Sequence, residues 1–153
     1  MDDLTFVYDR TQADVNRAKE LYRIGWKDLT DAQKAEWLSG LKGCLNTADL
    51  SRIENNIFAI SQLFEVPLQT NKDSIPDIPG VTYFAKLLEN VAALRATGFI
   101  YLTTPAVPDK PINTYQKVND IERILRDIYS VYVANNTSRL YCGETYAGEY
   151  GLI

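Results

Sequence analysis

The sequence contains no histidine. This removes the usual base of nucleophilic triads and the commonest zinc ligand, so His-based hydrolysis and most zinc chemistry are excluded. Cysteine is nearly as scarce: Cys44 and Cys142 are the only two, and their separation gives no metal-binding or redox spacing. Two free thiols in a reducing compartment are expected rather than a disulfide. No apolar run approaches the roughly 18 residues of a membrane span, and the start, MDDLTFVYDR, lacks the basic and apolar stretches of a signal peptide. Synthesis in the cytoplasm is expected, with no membrane association, and the overlapping sequons at Asn135 and Asn136 then carry little meaning. Clustered basic charge is missing too. The 16 Lys and Arg residues are scattered among 20 acidic ones, the formal net charge is −4, and no nucleic acid is expected as a partner.

What remains is helical patterning in a chain of 153 residues, 46% hydrophobic and 24% charged, the size and balance of one ordinary globular domain. The segment Leu4 to Tyr8 is rich in β-formers and reads as an extended arm or edge strand. Thr11, with Asp14 three residues on, caps a helix running to about Ile24, and Gly25 stops it. Thr30 with Gln33 forms a capping box for a second, short helix. A third follows Asn46-Thr47, with Leu50, Ile53, Ile57, Ile60 and Phe64 on one face, and is expected to end at Pro67. A proline-bearing loop leads to Gly80 and a fourth helix carrying Phe84, Leu87, Val91 and Leu94 until Gly98. FIYLTTPAVPDKP then crosses the domain in extended form. Asn113 is the expected cap of the last helix, whose stripe is Val118, Ile121, Leu125, Ile128 and Tyr132, and Asn135 to Ser138 should break it.

The expected fold class is therefore mainly α: a compact bundle of about five helices with short extended or β segments at both termini. Its parts are an N-terminal arm over residues 1–8, a bundle over 9–137, and an extended C-terminal segment over 138–153, a candidate β-hairpin.

Candidate sites are sparse. Asp73 and Asp77 lie in the loop before Gly80 but lack the ligand spacing of a calcium loop, and turn or capping roles explain them better. Glu144 and Glu149 are conceivable as a glycosidase pair only near a chain end. Trp26 and Trp37 flank the second helix and read as closing a small core more readily than as a stacking platform. No catalytic, cofactor or metal residue is assigned. Tyrosine is the compositional excess, 10 in all, with Tyr141, Tyr146 and Tyr150 inside the final stretch YCGETYAGEYGLI. Tyrosine combines large contact area, few torsions and a polar tip, which suits interfaces, and the glycines at 143, 148 and 151 allow tight turns.

The series DRTQADVNRAKEL, AEWLSGLKG, NTADLSRIENN, NTYQKVNDIERIL and YCGETYAGE, in that order from Asp9 to Gly148, resembles a family of small proteins and modules found near tail and receptor-binding genes in prophages and tailed phages of Firmicutes. The resemblance implies association with a phage tail and no catalytic residue. The expectation is a non-enzymatic virion structural protein, an adaptor in the tail, baseplate or tail tip, made in the bacterial host cytoplasm and without cofactor. Its partners would be other phage tail proteins, and copies of itself as a homo-oligomer in a symmetric assembly. Phe6, Tyr8, Tyr141, Glu144, Tyr146, Glu149, Tyr150 and Leu152 are the expected partner contacts. The alternative is a receptor- or carbohydrate-binding module stacking ligand on Trp26, Trp37 and the C-terminal tyrosines.

Overall fold

The computed structural model describes residues 4–149, with side chains through Ser138. The chain is mainly helical: α1 (Gln12–Ile24), a single 3₁₀ turn (Trp26–Asp28), α2 (Asp31–Leu38), α3 (Thr47–Leu63), α4 (Val81–Arg95) and α5 (Tyr115–Glu149). No strand occurs among the described residues. Nor is any helix described there long and apolar enough to cross a membrane.

Local chemistry sets most of the boundaries. Thr11 and Thr30 accept hydrogen bonds from the backbone of Asp14 and Gln33, whose side chains bond back, so both expected capping boxes are present. Asn46 and Asp49 form a third box at the start of α3. That helix stops at Leu63, before Pro67, because Glu65 takes a left-handed conformation (φ 53°) and the chain turns there. At the start of α5 the cap is Thr114 rather than Asn113: its hydroxyl accepts the Lys117 N–H at 3.4 Å.

The larger correction lies at the other end of α5. The expected break at Asn135 to Ser138 does not occur. The Thr137 and Ser138 hydroxyls instead donate to the carbonyls of Val133 and Ala134, each at 2.9 Å, one turn back along a helix that continues. Its backbone runs on to Glu149, where the extended segment over 138–153 was expected. The side chains after Ser138, and residues 150–153, lie outside the described residues.

The helices α3, α4 and α5 pack on one another as the main bundle. Leu50, Ile53, Ile57 and Ile60 of α3 meet Leu87, Leu88, Val91 and Leu94 of α4 and Ile121, Ile124, Leu125 and Ile128 of α5 in one core. Removing side chains of this size from water contributes about 1.5–3 kcal/mol each, the main term opposing chain entropy. A satellite core holds the N-terminal helices: Ala18 and Leu21 pack with Leu29 and Leu41, against Ile24, Trp37 and Cys44. Arg17 ties α1 to α2 through a two-point contact with Glu36, at 3.0 and 2.8 Å.

Candidate functional site

The described interior contains more charge than the stripes alone suggest. Arg10, at the end of the N-terminal arm, has a side chain only 3% exposed and reaches Glu122 of α5, which is fully buried. Both terminal guanidinium nitrogens donate to Glu122 Oε1 at 3.1 Å, and one also reaches Asp49 Oδ1 at 3.2 Å. Arg52 completes the cluster from α3, donating to Glu122 Oε1 at 2.6 Å and to Asp49 Oδ1 at 2.8 Å. Burial alone would lower the Arg52 pKa, but the carboxylates of Glu122 and Asp49 outweigh it and hold the value up. Two cations face two anions, so the cluster is neutral as a unit.

Glu122 also anchors the backbone. Its Oε2 accepts the Val7 N–H at 2.7 Å, while Asn119, one turn before it, bonds both the N–H and the C=O of Arg10. Asn56 of α3 donates to the Thr5 carbonyl at 2.8 Å. Side chains of α3 and α5 thus take up backbone groups of the arm at Thr5, Val7 and Arg10.

The same device recurs at the other irregular segments. Buried Glu54 accepts the Asn71 N–H at 3.0 Å, and buried Asn90 donates to the Gln69 carbonyl, fixing the loop between α3 and α4. Asp127 accepts the Thr104 hydroxyl at 2.7 Å, and Arg95 donates to the Pro105 carbonyl, fixing the segment between α4 and α5. Glu54 has a buried neighbour in Tyr83; burial first, then that carboxylate, push the Tyr83 phenol well above its ordinary value. Each of these carboxylates already has a partner within its own chain.

Two concavities border the N-terminal helices. A groove of about 900 Å³ is lined in part by Tyr22 and Trp37 and by Asp9, Lys42, Asp49 and Arg52. Tyr22 and Trp37 lie 4.4 Å apart between ring centroids, and Trp26 stands edge-on to Trp37 at 6.1 Å. The tryptophans thus meet, with Trp37 packed on the satellite core and Trp26 half in water. A smaller cavity of about 500 Å³ lies between the first turns of α1 and α5.

The expected contact residues divide into two groups. Phe6 is half-buried, 6.2 Å from Tyr129 of α5 between ring centroids. Tyr8 is 39% exposed under Arg126, whose guanidinium sits 4.9 Å over the ring and donates to the hydroxyl at 2.9 Å. Tyr141, Glu144, Tyr146, Glu149, Tyr150 and Leu152 have side chains outside the described residues. In the loop before Gly80, Asp73 pairs with Lys72 at the surface and Asp77 is exposed. Sequence reasoning missed the cluster of Arg10, Asp49, Arg52 and Glu122, together with Glu54 and Asp127. Comparison with known proteins finds no matching family model, curated protein or solved structure.

Proposed function

We propose that this chain is a non-enzymatic structural component of a phage tail, baseplate or tail tip, an adaptor joining neighbouring subunits in the virion. The observation that carries the reading is where apolar side chains remain in water. Ile78 and Val81, 88% and 80% exposed, stand at the N-terminal end of α4, and Tyr101 and Leu102 are exposed just beyond its C-terminal end. A helix of 15 residues, about 22 Å long, lies between the two pairs in the chain, and in this reading each pair would meet its own neighbour. A subunit that bridges other tail proteins or copies of itself needs separate contact surfaces, and closed symmetry multiplies weak contacts into a stable ring.

The buried carboxylates support the same reading, because Glu54, Glu122 and Asp127 hold the chain's own loops rather than face a cleft as a free acid and base. The order of motifs from Asp9 to Gly148 supplies the tail context. Residues 139–153 would add the tyrosine-rich attachment segment. Deleting them tests this role: particles assembled with the truncated chain should lose it during purification. Unchanged incorporation would remove the segment from the proposal.

A second reading, a receptor- or carbohydrate-binding module, is favoured by one feature. The neighbouring rings of Tyr22 and Trp37 line the same groove as Asp9, Lys42 and Arg52, a mixture of stacking faces and polar groups that suits a sugar ring. Saturable binding to a glycan array, lost in Trp37→Ala and kept in Trp26→Ala, would select it over the adaptor reading.

A further inference from the structure

The two cores of this chain are joined in an unusual way. The strongest helix-to-helix contacts join α3, α4 and α5 to one another, and α1 to the 3₁₀ turn. Space remains along the seam between them: the groove of about 900 Å³ is lined by residues of both α1–α2 and α3, among them Tyr22, Trp37 and Arg52. The cavity of about 500 Å³ is lined by residues of both α1 and α5, among them Val15 and Val118.

The N-terminal arm crosses this seam, with Leu4 and Phe6 packed on the main core and Arg10 bonded to Glu122 and Asp49. The chain itself crosses back between Cys44, packed on the satellite core, and Leu45, packed on the main one. Gly43 belongs with α1, since a Cβ there would overlap the backbone of Asp14 and Val15. The arm and the Cys44–Leu45 junction are thus the main ties between residues 4–43 and the bundle. We propose that residues 4–43 exchange between two copies of this chain, the arm of each copy seated on α3 and α5 of the other. This rests on the adaptor reading and names a second copy as one of its partners.

The chemistry of the arm's seat says what occupies it. Asn56 donates to the Thr5 carbonyl, Glu122 accepts the Val7 N–H, and Asn119 bonds both the N–H and the C=O of Arg10. These bonds select an extended backbone, and the carboxylates below select an arginine. When the arm leaves, Arg52 still donates to both Glu122 and Asp49, so neither carboxylate is stranded. Two carboxylates then face one guanidinium, and the remaining negative charge is matched by an incoming Arg10. The same segment of another copy fits this seat in every contact, so exchange rebuilds the closed interface in both subunits.

Sedimentation velocity of the full chain, unfolded in urea and refolded at increasing concentration, should show a dimer whose fraction rises with the refolding concentration. In dimers refolded from equal parts of isotope-labelled and unlabelled chain, nuclear Overhauser contacts between the Phe6 and Tyr129 rings should run between chains. Tyr8→Ala removes the same Arg126 contact from both forms, so it should lower the melting temperature while changing the monomer–dimer ratio by less than about twofold. Leu102→Asp, at an exposed position beyond α4, should leave the dimer intact. The proposal is overturned if the refolded chain stays monomeric at every concentration, if the ring contacts arise only within one chain, or if either variant abolishes the dimer. No phage particle enters this measurement, so its failure leaves the adaptor reading to be judged on virions, and absence of the chain from virions leaves the exchange standing.

Discussion

Arg10 and Glu122 lie 112 residues apart in sequence and meet at 3.1 Å in the interior, the Glu122 side chain fully buried and Arg10 nearly so. This pair joins the N-terminal arm to the last helix, and Asp49 and Arg52 enclose it. Removing one partner of a buried pair strands the other charge, which costs about 3–5 kcal/mol. Glu122→Ala should lower the unfolding free energy by that amount in urea titration and deprotect the Val7 amide in hydrogen exchange. A loss below about 1 kcal/mol would mean that the pair contributes little beyond a hydrophobic contact.

Gly43 makes a second, sharper demand. A methyl group there would overlap the Asp14 carbonyl and the Val15 nitrogen, backbone atoms that cannot rotate aside. Gly43→Ala should therefore destabilise the fold by about 1–3 kcal/mol, the usual range for overpacking. Thermal unfolding checks this, with Gly80→Ala, where a Cβ meets nothing within 4 Å, as the comparison.

Acid should weaken the protein through its surface carboxylates. Hydrogen bonding from Lys42 lowers the Asp9 pKa, that from the Thr11 hydroxyl lowers Asp14, that from Arg17 lowers Glu36, and that from Lys117 lowers Asp109. Carboxyls held below their ordinary values of 3.8 for Asp and 4.5 for Glu favour the fold above those values. That contribution disappears as pH falls through the lowered folded-state values. The melting temperature should accordingly drop as pH decreases below about 4, and Thr11→Ala should make the acid limb shallower.

Alkali acts on a different group. Burial, reinforced by Glu54, raises the Tyr83 phenol above its ordinary value of 10.0, so the folded state prefers the protonated ring. Stability from this preference is complete below pH 10.0 and declines as pH rises through the raised folded-state value. Titration followed by phenolate absorbance should show a late-titrating tyrosine that is lost in Tyr83→Phe. A Tyr83 that titrates with the exposed tyrosines would contradict the burial of its hydroxyl.

The helices α1, α2 and α4 were legible in the sequence because cap residues and apolar intervals agreed there, as at Thr11, Thr30 and Gly80. The end of α5 was misread because Asn135 to Ser138 resemble a breaker by propensity, while hydroxyl bonds to the preceding turn let the helix pass. The buried polar cluster was hidden by attention to apolar residues alone. Glu54 falls four after Leu50 and three before Ile57, and Glu122 falls four after Val118 and three before Leu125. Asn56 and Asn90 have the reverse spacing, three after and four before, between Ile53 and Ile60 and between Leu87 and Leu94. A polar residue set in phase within a core stripe is a sequence signal for a buried clip, although only the fold shows which loop it holds. The cavity between α1 and α5 gave no such signal, since its walls come from segments about a hundred residues apart.

Quantitative mass spectrometry of purified phage particles tests the adaptor claim most directly. The account predicts this chain in every preparation at a fixed copy number relative to the other tail proteins, retained through density-gradient purification. Its presence in infected-cell lysate and absence from the particles would contradict it.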